Sequence, residues 1–451
     1  MAAASAECFP LESVADADNS IHVSLIDAIQ NFTDLDISLN KLESFLRVLG
    51  FCQYSIFRAA LSWLAFIVLS IVVPLLVTYF GYCSNCELYQ INNFELEVLV
   101  SQSIAAAVSL LCISHNLRKY RIRKLLFVDR YHGQLTQFSE LYLKKIRVFY
   151  YFVVSWMTIF FLMKIAREVT RAVYLYDGSI WWSIVIVGAS LVSWAYSTII
   201  FLVGTALFHL VGNLQVIHFE HFGELLEMDM DISVYINEHM RLTHYMCKIS
   251  HRFRMFLLLE YLIVTANQCI VLLQTTANQG TVNFVNAGDF AVISIVQLVG
   301  LLICLNAAAN ISLRAQGLGS VASRWHALVT CNSNDASIFE VPSDGRNVET
   351  PKTAGQLSVN YSEGDLESAD YMPPPLNLQI TSTMSSYHKR QAFVAYVESN
   401  PGGFSIYGWR VDRLLINTLF FVEMTLITFL LGMTNNKSKV TIYQTATTAA
   451  K

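Results

Sequence analysis

An all-α polytopic membrane protein is predicted by three features of the sequence. Charged residues make up only 14% of the 451 positions, against roughly 25% in soluble domains. Hydrophobic residues reach 54%, and the mean hydropathy is +0.45. Seven apolar runs are each long enough to cross a hydrocarbon core of roughly 30 Å as a helix. Together these exclude a soluble enzyme. A nucleic-acid binder is excluded because 30 Lys and Arg do not outnumber 34 Asp and Glu. With 20 Gly and 8 Pro the chain is neither collagen-like nor wholly disordered.

The elements follow in order. The first 50 residues contain no basic stretch followed by an apolar core, so no cleavable signal peptide is expected and residues 1–58 are placed in the cytosol. Between Val23 and Leu49 apolar residues recur at helical spacing, ending in Leu42, Phe45, Leu46 and Leu49. This predicts amphipathic helices lying either on lipid or on cytosolic extensions of the bundle. Spans are predicted at 59–80, 94–115, 147–170, 181–211, 255–277, 287–310 and 411–433, the first six within a unit covering 59–330. The segment 331–381, rich in Ser, Asp, Glu, Gly and Pro, reads as a disordered cytosolic loop. A unit at 382–434 holds an amphipathic helix, His388 to Glu398, broken by Asn400, Pro401, Gly402 and Gly403 before the last span. Residues 435–451 form a tail outside.

Basic residues near span ends are retained in the cytosol, and with the N-terminus inside, 24 of the 30 fall on that side. Nine of them, from Arg118 to Arg147, lie between spans two and three. Seven spans then put the C-terminus outside, the reverse of a G-protein-coupled receptor. Asp129, Arg130 and Tyr131 spell a tripeptide of such receptors, but after the wrong span, and are read as coincidence. The fourth apolar run and its continuation keep helical periodicity to residue 256, predicting a helical cytosolic domain.

Candidate chemistry is sparse. Cys83 and Cys86 form a lone pair without a second CxxC, so they are two loop thiols or a local disulfide. His218 and His221 share a helix face with Glu224 in a His-rich stretch, but no paired-histidine motif completes a ligand set, and no metal or other cofactor is expected. Ionisable residues within spans are costly and usually functional. Glu423 lies deep in the last span, where it serves a pore or locks helices together. Glu260 lies towards the inner end of the fifth span, and Lys164, Arg167 and Asp289 lie towards outer span ends, where interfacial snorkelling is the ordinary reading. On the last span Asn417, Thr418, Thr425, Thr428 and Gly432 form a polar stripe, which either lines water or permits close helix packing.

Seven spans, an internal N-terminus, a long fourth helix and a cytosolic helix leading into the last span together resemble the insect odorant and gustatory receptor superfamily. The run from Gly408 to Thr434 is similar to the final segment of its plant gustatory-receptor-like branch. The insect signature is Thr-Tyr, five apolar residues and Gln-Phe. Here it corresponds to Thr418 and Leu419, then Phe420 to Met424, then Thr425 and Leu426, so only the Thr is kept and Glu423 interrupts the apolar five. The resemblance implies a homotetrameric cation channel in the plasma membrane or an endomembrane, with the last helices around a pore, cytosolic helices between subunits, and an unidentified small-molecule ligand. It places Asn417, Thr418, Thr425 and Thr428 at the pore. It also makes the outer ends of spans three, four and six a ligand pocket, where Lys164, Tyr174, Trp181, Trp182, Trp194 and Asp289 are candidates for a small apolar ligand. An aromatic belt is the alternative for the tryptophans. The chain is expected not to be an enzyme. The alternatives are an intramembrane metal-dependent hydrolase or oxygenase using the His/Glu cluster, and a non-conducting membrane scaffold.

Overall fold

The structure is a computed structural model that describes residues 33–80, 94–127, 132–175, 180–228, 230–277, 284–332, 363–368, 386–422 and 424–425. The first helix, α1, covers 33–48. Its apolar residues at spacings of four, three and four, Leu35, Leu39, Leu42 and Leu46, are all buried, and Phe45 meets Tyr150 edge-on at 5.8 Å. Of the two placements open for this segment, it is therefore the protein surface that α1 covers.

Next come α2 (Ile56–Ile67), a π-helical turn (Val68–Val72) and α3 (Val73–Phe80), which form one continuous span. They are followed by α4 (Phe94–Leu126), α5 (His132–Leu175), α6 (Ile180–Leu225), α7 (Ile232–Ala277) and α8 (Phe284–Asn332). Among the described residues six helices are thus long and apolar enough to cross a membrane, and the protein is an all-α polytopic membrane protein. Both α6 and α7 have 46 residues, or about 69 Å at 1.5 Å per residue, so each projects well beyond a hydrocarbon core. The periodicity expected to run unbroken to residue 256 is interrupted. Residues 226–228 turn, with Met228 N–H donating to Leu225 O at 3.1 Å, before α7 begins.

α6 is the central element, packed on α8, α5 and α4. Gly300 of α8 allows part of this approach, since a Cβ there would lie 2.7 Å from the Phe201 ring. The main core runs through α1 and α4–α8, and a smaller cluster around Phe160, Trp194, Phe201 and Val296 lies towards the end of the bundle where α3 stops. We call that end distal, and the end carrying α1 basal. At the basal end α4 breaks at Arg121 (φ 56°, ψ 166°), which turns Ile122, Leu125, Leu126 and Phe127 into the core. α10 (Ser386–Ser399) seats Phe393 and Val397 against α8 and α7.

Part of the segment read as disordered is ordered: α9 (Glu363–Glu367) packs on α7. A hairpin of β1 (Ser405–Ile406) and β2 (Trp409–Arg410) follows α10. Its turn requires Tyr407 at φ 49° and Gly408 at φ 86°. Phe404 anchors it, fully buried, with its N–H donating to Ser312 Oγ at 3.0 Å. A further helix, α11 (Arg413–Val422), then leaves the hairpin.

Candidate functional site

The distal half of the bundle holds a small pocket, about 510 Å³ when the open solvent at its mouth is counted in, lined from α3, α4, α5, α6 and the π turn. Its construction starts with Pro74. In the π turn the Val73 N–H bonds to Val68 O, so Leu69 O loses the donor it would have in an α-helix. Pro74 has no N–H to give to Ser70 O. Two neighbours fill these vacancies: Ser193 Oγ donates to Leu69 O at 2.7 Å, and Ser103 Oγ donates to Ser70 O at 2.8 Å. Ser70 Oγ also lies 2.8 Å from Ser197 Oγ. Below them Gln102 donates to Thr198 Oγ1 (2.9 Å) and Trp194 O (3.2 Å). Hydroxyl and amide groups from three spans thus meet where an unbroken first helix would present only side chains.

One wall carries charge. Glu168 Oε1 accepts from Lys164 Nζ at 2.9 Å and from Arg167 at 2.7 Å. All three side chains are no more than 4% exposed, so Lys164 and Arg167 do not snorkel as their span-end position suggested. Lys164 and Glu168 both face the pocket. Trp194 completes it. Its indole Nε1 is buried with no acceptor among the described residues.

Of the candidate ligand residues, Lys164 and Trp194 therefore line one cavity. Trp181 and Trp182 do not: they are 76% and 54% exposed on the outer surface of the bundle, with Trp182 edge-on to Phe80. Tyr174 and Asp289 have side chains outside the described residues, as do Glu423, Thr428, Cys83 and Cys86. Sequence reasoning missed Glu168, Gln102 and the serines. The missed signal is positional: Lys164 and Arg167/Glu168 continue the buried stripe Ile146, Phe149, Val153, Phe160 of α5 at spacings of three and four.

Elsewhere, Asn417 and Thr418 are exposed along α11 and Thr425 on the helical residues 424–425 after it, the two threonines bonding back to Leu414 O (2.8 Å) and Phe421 O (2.6 Å). The opposite face, Leu415, Ile416 and Leu419, packs on the core. Glu260 is 3% exposed, with neither carboxylate oxygen hydrogen-bonded to a described residue. In the His-rich stretch, His218 Nε2 meets Tyr142 OH at 3.0 Å and His221 Nδ1 meets Glu224 at 3.3 Å. Among the described residues no three His, Cys, Asp or Glu side chains are grouped to hold a metal.

Fold and pocket define a polytopic helical membrane protein with a polar cavity between its long helices. Within that class, the chain belongs to the family described as "Protein of unknown function (DUF3537)", matched over residues 37–422, from α1 to the end of α11. Comparison with curated proteins returns no match.

Proposed function

We propose that the protein is a subunit of a ligand-gated cation channel of the gustatory-receptor-like type, assembled as a homotetramer in the plasma membrane. N-terminus inside and C-terminus outside, it has α11 as the start of a seventh span. The observation that carries this reading is the asymmetry of α11. One face is held by the core, while Leu414, Asn417, Thr418, Phe421 and Thr425, within about 100° of the helix circumference at 100° per residue, are left uncovered by the single chain. Symmetry-related copies would bring those faces around a common axis and give a path with polar lining.

The distal pocket is the ligand site in this reading. Its serines, Gln102, Lys164 and Glu168 favour a small polar ligand over the apolar one expected from aromatic content. A ligand that bridges α3, α5 and α6 shifts the population towards the state in which those helices fit it best.

Current from purified protein in planar bilayers tests the proposal. Wild type is expected to pass cations in response to a member of a polar ligand panel, Thr425→Arg to suppress or reverse the selectivity, and Trp194→Phe to raise the half-activating concentration. Silence from well-folded oligomers across the panel would overturn it.

A further inference from the structure

The connection between α8 and α10 carries a feature that the pocket and α11 do not explain. Two acids one turn apart on α9 each meet a cation from a different long helix: Glu367 Oε2 lies 3.0 Å from Lys119 Nζ of α4, and Glu363 Oε1 lies 3.0 Å and 3.1 Å from the two terminal nitrogens of Arg254 of α7. A third contact fixes the backbone, with Tyr120 OH donating to Glu367 O at 3.2 Å. The Tyr120 ring is itself covered by the Arg252 guanidinium at 3.9 Å, and Arg252 donates to Lys124 O at 2.9 Å. The receiving surface is thus held together by contacts that do not involve α9.

Arg254 has a second face. Its guanidinium stacks over the ring of Tyr407 at 4.8 Å, at the turn of the hairpin that leads into α11. One side chain thus touches both the acidic turn and the hairpin. The hairpin is also tied to α7 by the Ser405 N–H bond to Ser250 Oγ at 3.2 Å and by the Tyr407 OH bond to Met255 Sδ at 2.5 Å. The acidic side chains are 55% and 77% exposed, and exposed ion pairs are individually weak and screened by salt. Two such pairs and the Tyr120 hydrogen bond make a contact weak enough to come and go.

We infer that α9 is a reversible acidic latch: it docks on the cationic basal surface made by Lys119 and Arg254 and, through the Arg254–Tyr407 stack, steadies the hairpin at the root of α11. The docking stands on its own geometry. Only its consequence for conduction rests on the channel reading.

Hydrogen exchange on the full-length protein in lipid nanodiscs at low salt tests the latch without any current. Glu363→Gln with Glu367→Gln is expected to speed exchange at 363–368 about three- to tenfold and to raise exchange measurably at 404–411. Raising the ionic strength should do the same to wild type. The charge swap Arg254→Glu with Glu363→Arg should restore protection at 363–368 but not at 404–411, because the stacking cation is gone. Unchanged exchange at 363–368 in the double variant overturns the latch, and unchanged exchange at 404–411 overturns its link to α11. A silent channel with the expected exchange pattern overturns only the function proposed above.

Discussion

Ser193 of α6 donates its hydroxyl to the carbonyl of Leu69 at 2.7 Å, supplying from a neighbouring span the hydrogen bond that the π turn before Pro74 denies to the first. In hydrocarbon an orphan carbonyl has no water to turn to. Ser193→Ala is therefore expected to destabilise the protein by about 1 kcal/mol, within the range for interhelical bonds in membranes. Ser103→Ala, which orphans Ser70 O, should do likewise. Pro74→Ala restores an N–H and offers the first helix a chance to close its own ladder. The loss from Ser193→Ala should accordingly be smaller in the Pro74→Ala background. Thermal unfolding of the four proteins in detergent measures this coupling.

Glu168 accepts from two buried cations, at 2.9 Å and 2.7 Å. Removing the shared anion takes a partner from both cations at once, whereas removing one cation leaves the other pair in place. Glu168→Gln should therefore destabilise by about 3–5 kcal/mol, as breaking buried pairs does, and Lys164→Met by clearly less. Equal effects, read from the same unfolding assay, would show that Glu168 does not bridge the pair.

The pH dependence of the basal end follows from Glu367. Its hydrogen bond to Lys119 comes first, then the Lys119 charge, with His251 and Arg254 adding to the attraction, and together they hold its carboxyl below the ordinary 4.5. A carboxyl whose pKa is depressed on docking contributes its full stabilisation above the undocked value and loses it as pH falls through the docked one. Docking of α9 should be constant at neutral pH and weaken only below about 4.5. A nitroxide at Gly364→Cys, in a background without exposed cysteines, should gain mobility in that window, and Glu367→Gln should flatten the transition.

The six long spans and the basal helical domain were legible because apolar length and 3.6-residue periodicity report directly on helices in lipid. The site was legible only in pieces. Lys164 and Trp194 could be named, but their partners could not, since Ser70 meets Ser197 across 127 positions and nothing local marks that meeting. Pro74 was the available clue, a helix breaker in the middle of an apolar run. The acidic turn was hidden for another reason: Glu363–Glu367 has no apolar periodicity, so its order comes from charges on α4 and α7 rather than from its own sequence.

Thiol reactivity checks both the basal packing and the sidedness. Cys52 follows α1 and is 4% exposed, with its Sγ 3.7 Å from Glu43 O. Burial pushes its thiol pKa up, so it is short of both access and thiolate. Cys331, at the basal end of α8, is exposed. A membrane-impermeant maleimide should therefore modify Cys331 rapidly and Cys52 only after unfolding. In sealed, right-side-out vesicles Cys331 should be protected until the membrane is opened, because the proposed orientation puts the basal end in the cytosol. Modification of Cys331 in intact vesicles would invert the topology, and fast modification of Cys52 in native protein would mean that α1 does not cover the bundle as described.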